Sequence, residues 1–132
     1  MFVQARKTEE LSKAKDPKKA ITEAVGDLSG IDIFNNLILV GTYIRPEKSG
    51  GGIFIPQTSL KEDEYQSKCG LILKRGPLAF EDEAFEGQDA DVGSWIVYRV
   101  NDGWPVHING VACRVIQDVQ VRLKLATPDL VF

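Results

Sequence analysis

The sequence predicts an all-β fold, a barrel or sandwich of short strands, on three observations. Runs of β-branched, aliphatic and aromatic residues recur from residue 31 onward and are too short for helices of ordinary length. Turn signals separate them at short intervals: Gly76-Pro77, Asn101-Asp102-Gly103 and Asn109-Gly110. The last run, Val119-Gln120-Val121-Arg122-Leu123-Lys124-Leu125, alternates apolar and polar residues, the period of a strand with one buried face. The chain has 132 residues, 43% of them hydrophobic, enough for the core of one domain.

Residues 1–30 read differently, as an N-terminal arm that is partly helical or extended. They hold six basic and five acidic residues, whereas the remainder of the chain is net acidic. Thr8 to Lys15 tolerates helix well, with Thr8 as N-cap. Asp16-Pro17 interrupts it and starts a second helix, Asp16 capping and Pro17 in the first turn, from Lys18 to about Val25. Gly26 and Gly30 end that helix. Apolar positions are few, so the segment reads as a mobile arm in preference to one that orders against a neighbour. The barrel domain follows over residues 31–125, and residues 126–132 form a C-terminal tail.

Within the domain, Leu37 to Val40 and Thr42 to Ile44 make the first strand, and Gly41 between them marks a bulge or a close backbone contact. Cys69 to Lys74 is the second, centred on Leu71-Ile72-Leu73. Pro77 to Asp91 carries Glu81, Asp82, Glu83, Glu86, Asp89 and Asp91 without a basic residue, an acidic loop or hairpin that also holds Leu78, Phe80 and Phe85. Trp95 to Val100 is a further strand. Val106-His107-Ile108 and Val111-Ala112-Cys113 flank Asn109-Gly110 as a two-residue hairpin. In the last strand Val119, Val121, Leu123 and Leu125 are expected to face the core.

The chemistry available is sparse. The single histidine, His107, sits in a hairpin, and any Ser-His-Asp or Cys-His arrangement would have to run through it. Cys69 and Cys113 lie in apolar runs, where free cysteine packs as a small hydrophobe, and no disulfide is required of them. No close pair of ligands nucleates a zinc site. The expectation is a protein without catalytic, metal or cofactor sites. A net charge of −3 argues against nucleic acid and anionic membranes as partners. No apolar run approaches the roughly 20 residues that cross a bilayer, and residues 1–20 lack the apolar region of a secretory signal. An intracellular protein is expected.

The conspicuous stretch is Gly50-Gly51-Gly52-Ile53-Phe54-Ile55-Pro56, three large apolar residues between glycines and a proline, followed by the polar residues 57–68. Three readings compete. A phosphate-cradling loop lacks the Gly-Lys-Ser/Thr that would follow. A short buried strand is compatible with adjacent apolar residues on both faces. A mobile loop carrying a hydrophobic hook would give up ordering entropy on binding and recover roughly 1.5–3 kcal/mol per buried large side chain. One such loop binds weakly, and several on one oligomer bind well.

The order Leu37–Val40, a loop with Gly51-Gly52-Ile53-Phe54-Ile55, Gly70-Leu71-Ile72-Leu73, Asp91-Val92-Gly93-Ser94-Trp95-Ile96-Val97-Tyr98, Asp102-Gly103 and a closing alternating strand resembles GroES-type co-chaperonins, most of all the divergent forms carried by bacteriophages. The resemblance covers about Ile33 to Leu125. It implies a GroES-like, partly open β-barrel with a mobile loop, assembled as a homo-oligomeric ring in the host cytoplasm. It implies that Gly51, Gly52, Ile53, Phe54 and Ile55 contact the partner, a GroEL-type chaperonin. The chain departs from the family at Ser94, where an acid is usual, at Asn36-Leu37 in place of Asp-Arg, and in its first thirty residues. Leu130, Val131 and Phe132 in the tail are secondary contact candidates. The competing expectation is a virion structural protein, a decoration, cement or head–tail component that reuses the barrel and binds phage capsid or other virion proteins.

Overall fold

A computed structural model describes Leu11, residues 16–44 and residues 68–128. The helix α1 (Pro17–Val25) precedes six strands: β1 (Leu37–Tyr43), β2 (Cys69–Arg75), β3 (Trp95–Val97), β4 (Trp104–Ile108), β5 (Val111–Gln117) and β6 (Leu123–Leu125). They form one antiparallel sheet in the order β4-β5-β1-β2-β3-β6. The sheet is open: β4 and β6 are its two edges. The all-β expectation holds in this form, β-rich with one six-stranded sheet.

The central strands β1, β2 and β5 are buried along most of their length, because both faces of the sheet are covered. Leu39, Tyr43, Leu71, Leu73, Trp95, Val111 and Cys113 pack on one face together with Ile21 and Val25 of α1. Ile38, Val40, Ile72, Ile96, Tyr98 and Ile116 pack on the other, beneath Ala79 and Ala90 of the acidic loop. Alternation along each strand assigns the residues to the two faces.

One irregularity in that alternation fixes the N-terminal segment. Leu39 pairs with Lys74, but the next residue, Val40, pairs with Ile72. Leu73 is therefore the extra residue of a bulge, and Leu73 and Lys74 project toward the same side. Leu73 joins the cluster that holds α1. The Lys74 ammonium donates to the carbonyls of Leu28, at 2.9 Å, and Ile31. The bulge lies one step from Gly41, the position at which the sequence pattern breaks. Gly41 itself provides the close approach, since a Cβ there would stand 2.9 Å from Ile21 Cγ2 and 3.2 Å from Leu73 Cδ1.

The helix begins as its sequence implies. The Asp16 carboxylate accepts from Lys19 N–H, Pro17 occupies the first turn, and Gly26 ends the helix at φ 74°. Ile21 and Val25 are 0% and 1% exposed, each stabilising the docked helix by roughly 1.5–3 kcal/mol. At the far end, Asn109 Nδ2 donates to the Val25 carbonyl at 2.6 Å. Asn109 and Gly110 both have positive φ, 51° and 80°, the geometry of a two-residue hairpin turn. The turn that joins β4 to β5 thus also satisfies a terminal carbonyl of α1. Residues 16–30 are accordingly packed onto the sheet, where a mobile arm was expected. The helix expected over Thr8–Lys15 lies outside the described residues except for Leu11, which packs partly buried against the same cluster.

Three strand expectations change. The run Trp95–Val100 is a strand only to Val97, since Asp102 accepts from Arg99 N–H and turns the chain. The 77–91 segment forms no hairpin but a loop with a single 3₁₀ turn, Glu83–Phe85. The last strand is confined to Leu123–Leu125, and Val119 and Leu123 are 57% and 52% exposed instead of core-facing. A 3₁₀ turn over Asp118–Gln120 interrupts it, closed by reciprocal bonds between Gln117 and Gln120. The buried Asp118 carboxylate holds that turn down, accepting from Asn36 Nδ2 at 2.8 Å and Phe80 N–H at 2.9 Å. Two apolar positions expected in the core therefore lie exposed, while the acid beside them is buried.

Replacing Gly41 by valine should drive the side chain into Ile21 and Leu73, loosening α1 and costing about 1–3 kcal/mol. Urea unfolding with amide exchange across residues 17–25 reads both effects. Asp118→Ala leaves the Asn36 amide and the Phe80 N–H without their acceptor and should cost about 2–4 kcal/mol, measured as a shift in the denaturation midpoint at constant slope.

Candidate functional site

The segment that carries Gly51, Gly52, Ile53, Phe54 and Ile55 lies outside the described residues, as do Leu130, Val131 and Phe132. Their points of attachment are described. Residues 44–68 connect β1 to β2, and the last paired residues, Tyr43 and Cys69, stand directly opposite each other. The segment therefore leaves and rejoins the sheet at one place.

That place is a packed aromatic stem. Tyr43 is buried and meets Trp95 edge-on, with ring centroids 5.4 Å apart, a geometry worth about 0.5–1.5 kcal/mol beyond area burial. Ile44 is buried beside it. Tyr98 N–H donates to the Lys68 carbonyl at 2.9 Å, and the Tyr98 hydroxyl donates to the Cys69 carbonyl at 3.4 Å. Gly70 lets β1 approach, since a Cβ there would lie 2.8 Å from the Gly41 carbonyl oxygen. A rigid root of this kind is how a scaffold presents a binding loop.

The described attachment points of the loop and of the tail stand apart. Cys69 pairs with Val97, and Val97 with Leu123, so the loop root is aligned with the start of β6. The tail follows Leu125, which pairs with Trp95, further along the sheet in the opposite direction.

Two concavities that the sequence reading did not single out lie on opposite faces. One, of about 360 Å³, is apolar and runs between residues 31–34 and the side chains of Leu37, Leu39, Val106, Ile108 and Val115. Phe34 at its rim is 68% exposed, and Trp104, opposite Val115 in the β4–β5 ladder, is 58% exposed. The other, of about 550 Å³, lies between the 80–90 loop and residues 121–124. The exposed aromatics Phe34 and Trp104 are visible as residue types, but only the fold sets one of them against a groove.

The charged groups of the sheet are largely committed to structure. Arg75 donates to Asp89 at 2.8 Å, to Asp91 at 2.9 Å and to the Ala79 and Ala90 carbonyls, and lies 5.3 Å from the Phe80 ring centroid. Arg114, buried, donates to the Val100 and Asp102 carbonyls beside the Tyr98 ring. Asp27 is held below the ordinary aspartate range by the main-chain N–H of Ser29 first and its hydroxyl second. Its contribution to stability is therefore present above the unfolded-state value and lost as pH falls through the folded one. His107 lies exposed on the edge strand β4, and Cys69 and Cys113 are buried on strands that flank β1 on opposite sides. Among the described residues no three His, Cys, Asp or Glu side chains are grouped to hold a metal, and no helix is long and apolar enough to cross a membrane.

No protein-family model matches the chain, and no curated protein matches it.

Truncating the stem at Tyr43→Ala should cost about 3–5 kcal/mol, as for other large-to-small changes at buried aromatics. Thermal unfolding checks it, with loss of the Trp95 near-ultraviolet signal as the local readout.

Proposed function

We propose that this chain is a co-chaperonin of the phage GroES type, a non-enzymatic protein with a GroES-like, partly open barrel that docks on a GroEL-type chaperonin through Ile53, Phe54 and Ile55. The observation that carries this reading is the stem. A segment rich in glycine, with one short apolar patch, is tethered at both ends to adjacent antiparallel strands, Tyr43 facing Cys69. The tether fixes the two ends of that segment to one base, and an assembly with several copies would multiply a weak single contact. The commitment of Arg75, Arg114 and Asp118 to main-chain and side-chain partners agrees with a binding role, because each holds a loop in place.

A second reading, a virion structural protein built on the same fold, is favoured by one feature: α1 is fastened to the sheet by Lys74 and Asn109 and enlarges the domain beyond the barrel. It requires the protein to co-purify with assembled particles at fixed stoichiometry.

Co-sedimentation with a GroEL-type chaperonin, with and without ATP, separates the two. The co-chaperonin reading expects binding that depends on nucleotide and falls at least about tenfold in Phe54→Asp, the scale of losing a buried large apolar side chain. Binding that is unchanged in Phe54→Asp overturns the hook assignment, and absence of binding in both conditions overturns the chaperonin partner.

A further inference from the structure

We propose that Asn109 is a modification site: it deamidates without an enzyme, at a rate governed by the docking of α1, and the product lets α1 go. Asn109 is the only asparagine in the chain that is followed by glycine. Glycine has no side chain to shield its main-chain nitrogen, so that nitrogen reaches the amide carbon of the preceding residue with little hindrance. The Gly110 nitrogen attacks Asn109 Cγ and gives up its proton, the bond from Cγ to Nδ2 breaks, and Nδ2 leaves as ammonia. The resulting succinimide takes up one water and opens to aspartate or isoaspartate, which adds a negative charge at the turn. No electrons are exchanged, and water has access because Asn109 is exposed.

The fold ties this chemistry to α1. Asn109 Nδ2 donates to the Val25 carbonyl at 2.6 Å, and a Cβ at Gly26 would lie 3.5 Å from the same nitrogen. The leaving group is thus seated on the C-terminal end of the helix. Closing the succinimide ring turns Cγ onto the Gly110 nitrogen, and the amide must leave Val25 to do so. A docked α1 therefore protects Asn109, and each undocking exposes it. The product reverses the sign of the contact. An ionised aspartate has no proton to offer, and its charge stands at the negative end of the helix dipole. The Val25 carbonyl, a terminal acceptor of α1, loses this donor. The apolar contact of Ile21 and Val25 remains, as does the hold of Lys74 on the main chain after the helix. Undocking promotes the reaction and the reaction promotes undocking, so Asn109 is a latch that opens once.

The test incubates the full chain at physiological temperature and follows residue 109 by peptide mapping that separates Asn, Asp and isoAsp. The capped peptide Ile-Asn-Gly-Val is the unprotected reference. The expected result is slower conversion in the folded chain than in the peptide, and conversion about fivefold faster in Asp16→Ala than in the unaltered chain. That substitution removes the cap bond to Lys19 N–H, at the opposite end of α1 from the turn, and shifts a helix equilibrium by about that factor. Asn109→Asp keeps a residue that tolerates the positive φ of the turn. It should raise amide exchange over residues 17–25 about five- to thirtyfold, while the amides of β1 and β2 keep theirs and show that the sheet is intact. Conversion in the folded chain as fast as in the peptide, an unchanged rate in Asp16→Ala, or unchanged exchange over residues 17–25 in Asn109→Asp would each overturn the proposal.

Discussion

The extra residue in β2 opposite Leu39 is the constraint on which the arrangement of this domain rests. A regular ladder would send Leu73 and Lys74 to opposite faces. Because the bulge turns both to one face, Leu73 supplies the apolar contact for α1 and Lys74 supplies donors for the main chain that follows it. The residues after the bulge resume the alternation with Arg75 on the other face, where it reaches into the acidic loop. Three consecutive side chains, one apolar and two cationic, thus fasten covers to both sides of a single strand. A sheet that is buried on both faces needs such covers, since otherwise the apolar residues of β1 would meet water on one side.

The covers are irregular in structure, and their main-chain groups need partners that a ladder would otherwise provide. That requirement explains where the buried or half-buried charges go. Arg75 takes the carbonyls of Ala79 and Ala90, Arg114 those of Val100 and Asp102, and Asp118 the N–H of Phe80. Each charged group closes one loop over the face formed by Ile38, Ile72, Ile96 and Ile116. Arg122, exposed and with no side-chain hydrogen bond or ion pair among the described residues, stands apart from them.

Local chemistry makes several elements legible in the sequence alone. Asp16-Pro17 and Gly26 bracket α1 because capping and φ preference act over a few residues. Asn109-Gly110 marks its turn for the same reason. The packing of α1 was not legible, because two apolar residues in nine suffice only when the sheet offers a glycine to receive them, and that match is made across the chain. The end of the sheet was misread for a related reason. Val119 to Leu125 alternates perfectly, but one buried acid, Asp118, with partners at residues 36 and 80, overrides the pattern and turns the chain. The hook was legible as composition, and its stem was legible only through the register of Tyr43 with Cys69. The concavity between the 80–90 loop and residues 121–124 was invisible, since its two walls are about forty residues apart in sequence and meet only where β6 lies beside β3.

The register also relates the root of the 44–68 segment to the edge of the sheet. Tyr43 faces Cys69, Cys69 faces Val97, and Val97 faces Leu123, so a single row across four strands leads from the root of the hook to the start of β6. At about 4.8 Å per strand the row spans roughly 14 Å, less than the width of a small domain. The root of the segment is thus held twice, by the ladder itself and by Tyr98, whose N–H and hydroxyl take the Lys68 and Cys69 carbonyls.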